Sequence, residues 1–124
     1  VRYMLDANIV IALLAGEPAA LRARVERCRR GTIVISSIAF AEVSLGSVCG
    51  KRPASEVLEQ VTRLFDVLAF DARAAWAYAR LPFRRGSFDR LIAAHALSLD
   101  AILVTNNERD FAGIPGLAVE NWTR

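Results

Sequence analysis

The chain has 124 residues, 54% of them hydrophobic and 23% charged, with a net charge of +3 at pH 7. That length suits one domain, residues 1–124, around one core, and the composition excludes a disordered chain. Ile9–Ala15 and Leu91–Leu99, the longest apolar stretches, are too short or interrupted to span a bilayer, and Asp6 comes too early for a signal peptide, so a cytoplasmic location is expected.

Tyr3-Met4-Leu5 reads as a short buried strand closed by Asp6. Asn8 is suited to cap a following helix through Leu14, which Gly16 and Pro18 end. A second helix is expected over residues 19–30, with Leu21, Val25 and Cys28 on one side, five arginines elsewhere, and Gly31 as its stop. Thr32-Ile33-Val34-Ile35 is a β-branched strand, after which Ser36 or Ser37 opens a helix over Ile38–Ser47. Residues 54–66 carry helical apolar spacing at Val57, Leu58, Val61, Leu64 and Phe65. Val67-Leu68-Ala69-Phe70 reads as a third strand, and Asp71 starts an alanine-rich helix to about Arg80. Gly86-Ser87 precedes a helix over Phe88–Leu99, and Ala101-Ile102-Leu103-Val104 is a fourth strand, followed by the polar turn Thr105-Asn106-Asn107. A last strand is expected near Leu117-Ala118-Val119. Short apolar strands separated by helices point to a parallel sheet with helices on both faces and a ligand site at the strands' carboxyl ends.

Three carboxylates stand in apolar company. Asp6 directly follows the first strand. Glu42 has Ile38, Ala39, Leu45 and Gly46 as its helical neighbours, none of which can pair with it. Asp89 opens a helix whose next turn offers Ile92 and Ala93. Converging buried carboxylates repel unless a cation lies between them, and hard oxygen ligands point to Mg²⁺ or Mn²⁺. Each has a structural alternative: Asp6 or Asn8 as a helix cap, Asp89 complementing a helix dipole, Glu42 in an ion pair with a distant arginine. A fourth contributor is expected after Val104 from Asn107, Glu108 or Asp110, with Thr105 orienting a ligand or capping the turn. His95, the only histidine, lies six residues after Asp89, about 240° around the helix, and reads as a core residue. Cys28 and Cys49 show no metal-site or disulfide spacing and read as buried or half-buried hydrophobes. Lys51 is the only lysine, and the abundant arginine suits phosphate contacts.

These residues match a known pattern over essentially the whole chain. Met4-Leu5-Asp6-Ala7-Asn8 resembles the "LDTN" opening of PIN domains, with Ala7 in place of threonine. Ile35 to Val43, around Glu42, resembles the second motif; Phe88 to Ala96, with Asp89, the third; and Leu103-Val104-Thr105-Asn106-Asn107 the fourth. The stretch from Ile114-Pro115-Gly116-Leu117 to Asn121-Trp122 also resembles VapC toxins of bacterial toxin–antitoxin pairs.

The resemblance implies a PIN-type three-layer α/β/α sandwich with a central, mostly parallel sheet. It implies a Mg²⁺- or Mn²⁺-dependent endoribonuclease that hydrolyses tRNA or rRNA, with Asp6, Glu42 and Asp89 as catalytic metal ligands. Asn107 stands at the family's fourth acidic position, acting through water or leaving Asp110 to supply the charge. Asn8, Ser36 and Thr105 would position the ligands, and Arg84, Arg85 and Arg90 would grip RNA phosphates. A homodimer and a VapB-type antitoxin laid over the acidic pocket are further implications, and the Thr-Asn-Asn turn resembles that of toxins acting on initiator tRNA. The stretch from Trp76 to Ser87 is shorter than in many relatives, which reshapes one wall of the substrate groove.

Three alternatives remain at this point. A response-regulator receiver needs a lysine after a late strand, whereas Lys51 sits between helices. A haloacid-dehalogenase-type phosphatase needs an acid two residues after the first, where Asn8 stands. A catalytically inactive PIN domain serving as a protein-binding module is compatible with Asn107.

Overall fold

The computed structural model describes residues 1–82 and 86–124. Its elements are β1 (Tyr3–Leu5), α1 (Ala7–Ala15), α2 (Ala19–Glu26), β2 (Ile33–Ser36), α3 (Ser37–Val48), α4 (Ser55–Leu64), β3 (Asp66–Leu68), α5 (Ala72–Ala79), α6 (Phe88–Ser98), β4 (Ile102–Val104) and β5 (Val119–Glu120). A 3₁₀ turn, Glu108–Phe111, separates the last two strands. The strands form one parallel sheet in the order β3-β2-β1-β4-β5, flanked by the helices.

The sheet's middle fixes where a site can form. Leu5 of β1 lies in register with Ile35 of β2 on one side and Val104 of β4 on the other. Asp6, Ser36 and Thr105 therefore follow at adjacent strand ends. The chain moves outward in one direction from β1 to β3, then returns to β1's other flank as β4. Right-handed crossovers place the helices of these two moves on opposite faces, which opens a crevice at the strand ends between β1 and β4.

The core explains the strands' apolar runs. Met4, Leu5, Ile33, Val34, Ile35, Leu103 and Val104 are all buried, as a sheet covered on both faces requires. Ala93, Ala94 and Ala96 bury one flank of α6 with small side chains, letting that helix lie close to its neighbours. Gly16 adopts φ +79° and closes α1 in the left-handed conformation that favours glycine.

Several boundaries differ from the sequence expectation. Asp6, not Asn8, caps α1: its Oδ1 accepts from the Ile9 N–H at 3.0 Å, because the helix begins at Ala7 and the extended Asp6 is the last residue before it. The second helix ends at Glu26, and Cys28 lies in the turn beyond it. The third strand is Asp66–Leu68, ending earlier than Phe70, whose N–H is instead held by Ser37 Oγ at 3.0 Å. Leu64 is exposed despite its helical spacing, and Cys49, just past α3, is exposed as well. His95 is buried, as expected.

Arg24 does not decorate the surface of α2 with the other arginines. Its guanidinium lies 4.5 Å from the Trp122 ring centroid and 5.3 Å from that of Tyr3. Trp122 Nε1 in turn donates to Glu120 at 2.9 Å. This cation–π clasp fastens α2 and the C-terminal segment to the sheet.

Phe111 is the largest fully buried side chain among the described residues and anchors the 3₁₀ turn that carries Asp110. Phe111→Ala should cost about 3–5 kcal/mol in urea unfolding. A change under about 1 kcal/mol would show that the turn is not keyed to the core.

Candidate metal centre

Asp6 enters the crevice from β1 and is 5% exposed. One of its oxygens is committed to the α1 N-terminus, so its orientation is set by the helix start. Burial raises the Asp6 carboxyl above its ordinary value; hydrogen bonds from the Thr105 hydroxyl and the Ile9 N–H pull it back, and the charge of Asp89 pushes it up again. Thr105 is fully buried, and its Oγ1 also accepts from the Asn107 N–H at 3.0 Å. It therefore ties the β4 turn to Asp6.

Glu42 stands in the middle of α3, half-buried. Its Oε1 is sealed from solvent and has no hydrogen-bond partner among the described residues. Burial raises its carboxyl, and the charges of Asp89 and Asp6 raise it further. The expected alternative, an ion pair with a distant arginine, is not found among the described residues. Asn8 and Glu42 line one cavity of about 360 Å³, rimmed by the cationic side chains Lys51 and Arg52.

Asp89 lies in the first turn of α6, which Ser87 caps. Burial raises its carboxyl, and the charge of Asp110 together with a hydrogen bond to it raises it further. Asn107 Nδ2 donates to Asp110 Oδ2. Asn107 thus holds an acid that sits against Asp89, so the turn brings a fourth carboxylate to the site.

Ser36 is fully buried, caps α3 by accepting from the Ile38 N–H at 3.1 Å, and lies 2.8 Å from His95 Nδ1. Burial lowers the His95 imidazole below its ordinary value, with the charge of Asp71 acting in the opposite direction. Arg90 is half-buried, and its Nη2 donates to the Pro82 carbonyl at 2.6 Å, so part of its guanidinium fastens the chain before Asp89. Arg84 and Arg85 lie outside the described residues.

The arrangement suits a divalent cation. Asp6, Glu42 and Asp89 each have raised carboxyls, and Asp89 contributes to that rise in both Asp6 and Glu42. One buried carboxylate oxygen has nothing to satisfy it, and the available donors are all hard oxygens. Among the described residues no three acidic, imidazole or thiol groups are packed closely enough to grip one ion together. A cation between these acids would turn their mutual repulsion into attraction toward the ion.

The PIN domain family matches residues 3–117. The chain belongs to the PIN-domain family. Within it, the chain is 36% identical over 131 residues to the Shigella flexneri protein named tRNA(fMet)-specific endonuclease VapC, covering 98% of each. It is 33% identical to ribonuclease VapC2 of Rickettsia felis, again over 98% of both chains. Among solved structures it is similar to VapBC2 from Rickettsia felis bound to a promoter DNA fragment, with TM-score 0.82, 31% identity and coverage of 98% of this chain and 99% of that one. DNA-bound VapBC from Salmonella typhimurium gives TM-score 0.80 and 31% identity over 98% of each chain.

The sequence reading missed two features of the site. The buried contact between His95 and Ser36 joins residues 59 apart, and no local spacing signals it. The link from Asn107 to Asp110 spans one 3₁₀ turn, and a polar side chain bonding forward three residues is a signal that was available.

Raised carboxyls carry a pH consequence. They bind more protons folded than unfolded, so without divalent ions their contribution becomes less favourable as pH rises from about 4 through the raised values. Lowered His95 acts oppositely, favouring the folded state as pH rises toward about 6.5. Asp6→Asn keeps a good helix cap and removes one charge. In EDTA at pH 7.5 it should raise Tm by about 3–6 °C, on the order of 1 kcal/mol, with the gain shrinking toward pH 4. A lowered Tm at pH 7.5 would contradict electrostatic strain at this site.

Proposed function

We propose that this PIN domain is a divalent-metal-dependent endoribonuclease, using Mg²⁺ or Mn²⁺, which cuts tRNA or rRNA and is neutralised by a VapB-type antitoxin. The observation that carries the reading is the buried Glu42 Oε1, which has no partner among the described residues and lies within the repulsive field of Asp6 and Asp89. The names of the relatives, a tRNA(fMet)-specific endonuclease and a ribonuclease among them, support RNA as substrate, and the VapBC structures support the antitoxin. No described helix is long and apolar enough to cross a membrane. A cytoplasmic homodimer completes the reading, with Phe88, exposed beside Asp89, offering apolar surface to a second copy.

The reaction adds water across a phosphodiester: water oxygen bonds to phosphorus, a ribose oxygen departs, and one proton moves from the water to the leaving side. Asp6, Glu42 and Asp89 would hold the ion, which supplies charge neutralisation at the phosphate and a more acidic water. The α1 N-terminus and Thr105 orient Asp6. Glu42, whose buried Oε1 has no partner among the described residues, would hold the ion or orient the attacking water. Asp110, held by Asn107 against Asp89, supplies the fourth negative charge, so Asn107 in the family's acidic position does not leave the site short of an acid. That arrangement disfavours the inactive binding module.

The test is cleavage of a total tRNA and rRNA pool by antitoxin-free protein in Mg²⁺, in Mn²⁺ and in EDTA. Discrete fragments are expected with either ion and none with EDTA, and Asp6→Asn and Glu42→Gln should each slow cleavage by about 100-fold or more. No cleavage by folded protein with either ion would overturn the reading. In the same assay, Asp110→Asn should raise the ion concentration needed for half-maximal rate about 10- to 100-fold. An unchanged requirement would remove Asp110 from the site.

A further inference from the structure

Away from the acidic crevice, α5 presents Arg73, Trp76 and Arg80 at helical spacings of three and four, hence on one face. They line an open groove of about 580 Å³ whose other walls include Pro82, Leu97 and Pro115. Trp76 is 65% exposed, whereas Trp122 is 5% exposed in the core. An indole left in water on a face it shares with two arginines offers a stacking surface to a partner that carries negative charge. None of the groove's described lining residues is acidic.

We propose that this groove is a second RNA subsite, in which an unpaired base stacks on Trp76 and flanking phosphates pair with Arg73 and Arg80. The inference rests on the ribonuclease reading and adds the surface that holds single-stranded RNA beside the cut. Base–aromatic stacking tolerates any base, and arginine suits phosphate geometry. Charge favours RNA over a second copy of the chain, because a two-fold contact centred on this face would set the arginines of one copy against those of the other. The groove is also joined to the catalytic end. Pro82 on its rim accepts from Arg90, the residue after Asp89. Leu97 at its far wall lies eight residues along α6 from Asp89, about 12 Å. That span along α6 corresponds to about three to four nucleotides between Asp89 and the groove's far wall, at a stacked spacing of about 3.4 Å. The subsite would therefore select substrates with an unpaired nucleotide a short, fixed distance from the scissile bond.

The experiment measures binding of a fluorescent ten-residue oligouridylate by anisotropy, with Asp6→Asn protein as the cleavage-silent parent. Adding Trp76→Ala should weaken binding about 10-fold or more, while Trp76→Phe should stay within about three-fold of the parent. Replacing both Arg73 and Arg80 by Gln should reduce the slope of log affinity against log salt by about 1.4, the value for two single-strand phosphate contacts. In protein with Asp6 intact, Trp76→Ala should raise KM for RNA more than it lowers kcat. Unchanged oligouridylate affinity in Trp76→Ala would overturn the proposal. So would loss of a dimer in sedimentation with RNA affinity intact, which would assign the face to a second copy. Failure of the ribonuclease reading would appear separately, as absence of cleavage by the unsubstituted protein with either ion.

Discussion

Negative charge gathered at the end of a parallel sheet is the constraint on which the rest of this structure depends. The strand order puts β1 in the middle, so the residue after it cannot avoid the crevice, and that residue is Asp6. Glu42 approaches from α3 and Asp89 from α6, and each of the three carboxyls is driven up by burial and by another acid. Nothing in the apolar core offsets this repulsion. The fold instead fixes the acids in place with neutral groups: the α1 N-terminus and Thr105 on Asp6, the Ser36 cap at the head of α3, and the Asn107 amide on Asp110. A site built this way stores unfavourable electrostatics that a divalent cation would relieve, which would link ion binding to the stability of the domain through the same residues.

The elements most legible in the sequence were those whose residues answer to one physical demand. Ile33-Val34-Ile35 and Ile102-Leu103-Val104 are apolar and mostly β-branched because both sheet faces are covered, and strands appear there. Glu42 was legible because a mid-helix acid with only apolar neighbours has no local explanation, and the structure leaves its Oε1 unpartnered. Positions serving two demands were harder to read. Asp6 is both the cap of α1 and the central acid of the crevice, so assigning the cap to Asn8 followed from treating these as competing roles. Helical spacing likewise marked Leu64 as buried, but α4 ends there and its side chain stays in solvent.

Contacts between distant segments were not legible. The Arg24 guanidinium between Tyr3 and Trp122 joins α2, β1 and the C-terminal segment, and one sequence shows only an arginine among five. The contact of His95 with Ser36 has the same character. Burial of His95 followed from its position on α6, whereas its polar partner required the sheet to be assembled first.

The central claim, that Asp6, Glu42 and Asp89 together form a divalent-ion site, is tested most directly by counting bound Mn²⁺. Electron paramagnetic resonance reads the free ion during titration of antitoxin-free protein and of its Asp6→Asn and Glu42→Gln variants. The account expects saturable binding by the unsubstituted chain, and affinity about 10-fold or more weaker in each variant. Equal binding by all three proteins, or none by the unsubstituted chain, would contradict it.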